Sequence, residues 1–332
     1  YVEDVATSGT FTGTIGNSGS IVAQASGILV SGVATGSGGR FNGNVVNTGK
    51  ITSTSNVGID VYNSADSGGT FTGKIFNAKT GVIDGEYGLG VYKVGAALFS
   101  GGVTNAGQIA ATAYQGIYVE SVAYGSAGTF LGGIVNSGSI ISYKTGMYIS
   151  AVGAAGFNGK IANSGKIVSM SGAGITISRV ANSAGATFTG SIVNTGAITA
   201  YDTGINVTSV GDGFVGGITN SGTINTRTIG LLIDDVNGVN SGVINAGRIN
   251  AQTGIDIVDA TITGGIVDTG NIVAPGGGIL IDPASKILST KTAVLIAGKT
   301  FVGGLFNAGT ISGKIGVVVT SAHGVNVFDD GT

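Results

Sequence analysis

From Thr10 to Val30 the chain reads TFTGTIGNSGSIVAQASGILV, and its apolar and polar positions follow a period of two. Phe11, Ile15, Asn17 and Ile21 share one parity, so a strand through them sends all four side chains to one face. After the small Ala23 and Gly27, alternation resumes with Ile28 and Val30 on either side of an outward Leu29. The pattern predicts three short strands joined by turns. Glycine and asparagine fall where the backbone needs a positive φ or a tight corner.

The same unit recurs along the chain. The motif N[STA]GxI stands at Asn17, Asn47, Asn105, Asn136, Asn163, Asn194, Asn220, Asn245 and Asn307. Asn77 opens a longer turn, NAKTGVI, and Asp268 takes the asparagine's place in DTGNI. Asp282 to Ile287 reads as an abbreviated coil lacking its first strand. These anchors predict an all-β chain, a parallel β-helix of about 12 coils of 23–31 residues with three strands per coil.

Other positions complete the predicted cross-section. A phenylalanine strand precedes the anchors at Phe11, Phe41, Phe71, Phe99, Phe130, Phe157, Phe188, Phe214 and Phe301, and it weakens to Val239 and Ile262. Two residues after each anchor isoleucine comes a small side chain, such as Ala23, Ser53, Ala111 or Ser142, which predicts a tight inner corner. The third strand is GIxV, with the outward row Leu29, Asp60, Gly90, Tyr118, Tyr148, Thr176, Asn206, Leu232, Asp256 and Leu280. A valine three residues further on, at Val33, Val94, Val122, Val152, Val180, Val210 and Val236, reverses the parity and predicts a bend or bulge. Length varies mainly between this bend and the next phenylalanine, so loops are expected to project from one corner. At ~4.8 Å per coil, the rod would be roughly 55–60 Å long.

A helical reading fails, because no apolar i, i+3, i+4 pattern persists and glycine interrupts it repeatedly. Composition changes the picture in three ways. With 64 Gly among 332 residues but no triplet period, the chain is not collagenous, and 42% hydrophobic residues are too many for a disordered one. A net charge of -2 with 10% charged residues offers no basic field for nucleic acid or anionic lipid. No apolar run is long enough to span a membrane. Tyr1-Val2-Glu3-Asp4-Val5 aligns with Tyr118-Val119-Glu120-Ser121-Val122, so residues 1–332 read as one solenoid domain that begins inside a repeat, a segment of a longer repeat protein.

Little of this pattern carries chemistry. The anchor asparagines, Asn17, Asn47, Asn77, Asn105, Asn136, Asn163, Asn194, Asn220, Asn245 and Asn307, are expected to form a structural ladder in which each amide bonds the next. Asp60, Asp234, Asp256 and Asp282 are expected to be solvated surface groups, and Asp329-Asp330-Gly331 an ordinary turn. His323 has no Cys or second His beside it and is expected to be a polar surface residue, so no metal site, cofactor or catalytic set is predicted. The candidate binding residues are outward aromatics and a methionine on adjacent coils: Tyr118, Tyr143, Tyr148, Met170 and Tyr201, with Tyr62 and Tyr92 beside the GIxV row.

The repeat FxGxIxNSGxI followed by GIxV resembles the strand repeats of bacterial autotransporter passenger domains and related large surface adhesins, over essentially the whole chain. The resemblance implies a right-handed parallel β-helix outside the cell or on the bacterial outer surface. It also implies that any membrane attachment runs through a translocator or anchor outside this segment. The expected function is a non-enzymatic structural or adhesive stalk whose partners are cell-surface glycans, proteins or other copies of itself. Two alternatives are a subunit of a self-assembling extracellular fibre and a polysaccharide-degrading β-helix enzyme.

Overall fold

The computed structural model describes residues 1–6, 8–95, 97–211, 213–321 and 324–332. His323 lies outside the described residues. The described chain contains no helix, and its strands form three parallel sheets stacked as a β-solenoid of about 11 turns.

One turn shows how the sequence builds the coil. Thr129–Phe130 forms the phenylalanine strand, Ile134–Asn136 the asparagine strand, Ser139–Ser142 the isoleucine strand and Met147–Ser150 the GIxV strand. Each pairs in register with its counterparts in the turns below and above. Phe130 meets Phe99 and Phe157, Asn136 meets Asn105 and Asn163, Ile140 meets Ile109 and Ile167, and Met147 meets Ile117 and Ile175. Inward Phe, Ile and Val side chains make one continuous core along the axis. The rings from Phe11 to Phe214 follow one another at centroid spacings of 4.4 to 4.9 Å, stacked except for Phe157 and Phe188, which meet edge to face at 82°.

The asparagines form the expected ladder. From Asn17 to Asn220, each Nδ2 donates to the next asparagine's Oδ1 at 2.8–2.9 Å. Most also donate to the carbonyl two residues on, as Asn136 does to Gly138 at 3.3 Å. All run in the same sense, so the ladder needs an acceptor at its far end. Asp268 supplies it: Asn245 Nδ2 donates to Asp268 Oδ1 at 2.7 Å, and Gly270 N–H donates to the same atom. Burial pushes the Asp268 carboxyl above its ordinary pKa despite these two hydrogen bonds.

The predicted bend after the GIxV strand is also present, with a defined geometry. At the step before each buried Val, the backbone is left-handed at Gly32, Lys93, Ser121, Ala151, Arg179, Ser209 and Asp235, with φ between 51° and 64°. This conformation reverses the parity and turns Val94, Val122 and Val180 inward. Where the following loop is short, the bend no longer ends the strand, and Ile229–Val239 runs through it as one element.

The last coils depart from the expected register. Ile287, in the supposed abbreviated coil, stacks on Ile262 in the phenylalanine column, and Val294–Ile296 stacks on Ile266–Asp268. Ile296 therefore covers Asp268, and the ladder stops there. Asn307 is not a rung of it, because Leu305–Asn307 pairs with Ile279–Ile281 in the GIxV column. Phe301 likewise pairs with Ile272 in the isoleucine column, not with a phenylalanine. The sequence NAGTI has moved to another corner, where Asn307 Nδ2 donates to Asp329 Oδ1 at 2.7 Å. Gly331 N–H donates to Asp329 Oδ1 as Gly270 N–H does to Asp268, so both ladders end on an aspartate that accepts from its own turn.

A tyrosine-lined groove as candidate functional site

The outer face of the GIxV column carries a groove of about 820 Å³ over the first turns. Its geometry follows from strand register. Leu29, Asp60, Gly90, Tyr118 and Tyr148 stand above one another in one outward row. Ser31, Tyr62, Tyr92 and Glu120 form the next. Gly90 has no side chain to fill its place, so strand Tyr87–Val94 has a gap between Tyr87 and Tyr92. Asp60 bounds this gap on one side and Tyr118 on the other.

The aromatic rings are organised in pairs. Tyr62 stacks on Tyr92 at 4.4 Å between centroids, and Tyr87 on Tyr114 at 4.3 Å. Tyr118 is tilted by 54° to both Tyr87 and Tyr92, at 6.1 and 6.4 Å, and stacks on Tyr148 at 5.8 Å. The Tyr118 hydroxyl donates to Glu120, which fixes the ring. Burial, followed by that carboxylate, pushes the Tyr118 pKa up. Burial, then the Tyr62 hydroxyl beside it and the Asp60 and Glu120 carboxyls, push Tyr92 up to about 12. These phenols stay protonated and act as hydroxyl donors and acceptors at neutral pH.

Asp60 is the exceptional carboxyl. Ser26 Oγ donates to it at 3.5 Å, but burial outweighs that bond and raises its pKa from 3.8 to about 6. Asp60 lies on the outer face as expected, but it is half-buried in the groove rather than fully solvated. The native state therefore binds a proton that the unfolded chain has released, and stability falls as pH rises from about 4 to about 6. Asp60→Asn removes this cost. It is expected to raise stability at pH 8 by about 2–3 kcal/mol while changing little at pH 3.5, as read from thermal unfolding at the two pH values.

The sequence-predicted binding residues divide between two places. Tyr118 and Tyr148 line the groove. Tyr143, Met170 and Tyr201 stack in a separate, exposed row one residue beyond the isoleucine strand, and they do not line it. Arg227, the next residue of that row, lies over the Tyr201 ring at 4.7 Å. Sequence reasoning missed Tyr87 and Tyr114. Tyr87 opens its GIxV strand in register with Val57, Tyr114 lies in the turn before the next one, and only the fold stacks them.

The acidic row near the C-terminal turns is crowded. Burial and then the Asp235, Asp259 and Asp282 carboxylates raise Asp234, and burial with Asp282 and Asp234 raises Asp256. Among the described residues, no group of three or more His, Cys, Asp or Glu side chains is arranged to hold a metal ion. Comparison of the chain with protein-family models, with curated proteins and with solved structures gives no match in any of the three.

Proposed function

We propose that this chain is a rigid, non-enzymatic stalk of an extracellular or outer-surface protein that binds cell-surface glycans through the tyrosine-lined groove. The observation that carries the reading is the groove itself, with Tyr62, Tyr87, Tyr92, Tyr118 and Tyr148 around the Gly90 gap. Tyrosine gives large amphipathic contact at low entropic cost, and hydroxyls and carboxylates beside it suit the polyhydroxylated faces of sugars. The in-register stacking of the turns supports the reading further, because it holds this surface without a conformational change. The resemblance of the repeat to autotransporter passengers and surface adhesins supports the extracellular setting.

The test is binding of the purified chain to a glycan array and to cell surfaces, compared with Gly90→Leu. Leucine already stands in this outward row at Leu29, Leu232 and Leu280, so the row accommodates it. A tenfold or greater loss of binding with an unchanged unfolding temperature is the expected result. Equal binding by the variant, or no glycan bound by either protein, overturns the reading.

A hydrolytic reading has one specific observation in its favour. Asp60 is a carboxyl held up at about 6 and shares the groove with Glu120, and glycoside hydrolysis uses such a protonated and ionised pair. The Tyr118 hydroxyl occupies Glu120, which favours binding over turnover. New reducing ends released from a glycan panel, and lost in Asp60→Asn, would establish hydrolysis instead.

A further inference from the structure

We propose that the gap at Gly90 is a seat for a primary ammonium group, and that the glycan taken by the groove is one of unacetylated amino sugars. This inference rests on the reading of the groove as a glycan-binding site and specifies the chemistry of its ligand.

Three observations lead to it. First, the gap is bounded by tyrosine rings that do not stack on one another. Tyr118 stands at 54° to both Tyr87 and Tyr92, with centroids about a ring's width away at 6.1 and 6.4 Å. Such an arrangement surrounds a cation rather than sandwiching a flat apolar group, and aromatic boxes of this kind hold ammonium ions.

Second, two of the groove's own tyrosine pairs already carry cations of the chain, as Tyr201 does elsewhere. Lys93 lies over Tyr62 and Tyr92 at 6.0 and 5.8 Å, Lys144 over Tyr114 at 4.6 Å, and Arg227 over Tyr201 at 4.7 Å. Among the described residues, Tyr118 has no such partner. Neither has Tyr87, so the two rings that meet beside the gap can take a cation from outside.

Third, the polar atoms around the gap are short of donors. A Cβ built at Gly90 would lie 3.3 Å from the Val57 Cγ1 methyl and 3.7 Å from Asp60 Oδ1, so an apolar wall and that carboxyl border the gap. Its pKa is set by burial and the Ser26 hydroxyl, with no cation to offset the burial. Gln115, which also lines the groove, has a buried Oε1 with no hydrogen-bond partner. A quaternary ammonium has no N–H to give these oxygens, whereas a primary ammonium has three. The hydroxyl-rich surroundings, Ser26, Ser31 and the tyrosine phenols, together with a volume of about 820 Å³, suit a sugar chain better than a lone amine.

Ionised Asp60 is the charge partner, so affinity should rise with pH through about 6. The titratable residues that line the groove with it are Tyr1, Tyr62, Tyr87, Tyr92, Tyr118, Glu120 and Tyr148, and Lys93 stands over Tyr62 and Tyr92. The raised tyrosines Tyr92 and Tyr118 do not ionise in this range. A carboxyl with a pKa of about 6 goes from about a tenth to about nine-tenths ionised between pH 5 and 7, which predicts a gain in affinity of up to about tenfold, reduced by the charge that the weakly basic amino-sugar ammonium itself loses towards pH 7.

Isothermal titration calorimetry of the full chain tests this with a glucosamine tetramer, its fully N-acetylated counterpart and spermidine. The expected result is that the free-amine tetramer binds at least tenfold more tightly than the acetylated one and more tightly than spermidine. Its affinity should also rise between pH 5 and 7, and both the affinity and its pH dependence should fall in Asp60→Asn and Tyr118→Ala. Equal binding of the two tetramers overturns the ammonium seat while leaving the glycan reading intact. Spermidine binding as tightly as the free-amine tetramer overturns the sugar assignment. Absence of binding by all three overturns the inference, and the glycan array then decides the broader reading by itself.

Discussion

Asn136→Ala is expected to lower stability by about 3–5 kcal/mol, although it removes only one small polar side chain. Asn136 accepts from Asn105 Nδ2 and donates to Asn163 Oδ1, both at 2.8 Å, and its exposure is 0%. The substitution therefore leaves a donor below and an acceptor above without their partner where water does not reach. Each such loss costs about 1–3 kcal/mol, and the alanine leaves a gap as well. Asn307→Ala should cost less, about 1–2 kcal/mol, because its one side-chain partner, the Asp329 carboxylate, keeps the Gly331 N–H and only the Gly309 N–H loses its side-chain acceptor. Chemical denaturation measures both changes. Hydrogen exchange at residues 136–139 should show the opening spreading from the altered rung, as expected of a stack in which each turn contacts only its neighbours.

The difference between these two asparagines also marks what could be read from the sequence. From Asn17 to Asp268 the motif, the strand parity and the outward rows all agree, and the fold follows them. At Asn307 the motif NAGTI is intact, yet the side chain lies at another corner. A turn of this type fits any corner where a strand with an inward polar end meets a small residue, so the motif alone does not identify the column. The spacing held the clue. Asp268 and Asn307 are too far apart for one coil, and Val294 and Ile296 carry the inward parity of an asparagine strand without the asparagine.

The groove was legible in part. Tyr118, Tyr148, Tyr62 and Tyr92 follow from outward parity. The gap is an absence at Gly90, and one glycine among 64 gives no signal of its own. The raised carboxyl at Asp60 depends on side chains from the turns on either side, so no local pattern encodes it. The role of the repeat glycines was legible as a tight corner. The left-handed positions fall largely on Lys93, Ser121, Ala151, Arg179 and Ser209 instead, whose place in the bend demands that conformation whatever the side chain.

Those repeat glycines yield the largest expected effect. Gly132→Ala should abolish the stacking of the central turns, with a loss of at least about 4 kcal/mol. A Cβ at Gly132 would sit 1.3 Å from the Gly101 carbonyl oxygen in the turn below, and the same contact recurs at 1.6 Å from Gly159 to Gly132 and 1.8 Å from Gly190 to Gly159. Ordinary overpacking costs about 1–3 kcal/mol because neighbouring side chains can shift. Here the obstacle is backbone. Moving it means separating strands whose spacing of ~4.8 Å is set by their hydrogen bonds, and that would also pull apart the Phe99–Phe130 stack at 4.8 Å and the Asn105–Asn136 bond. The adjacent Gly133 is the control. Its Cβ would lie 3.4 Å from the Lys160 carbonyl and 3.5 Å from Val135, which is ordinary contact. Gly133→Ala should therefore change stability by less than about 1 kcal/mol. Thermal unfolding of the two variants side by side separates a requirement for close approach of the turns from a general intolerance of side chains in this segment between strands. Equal behaviour of the two would show that the glycine row does not set the spacing of the coils.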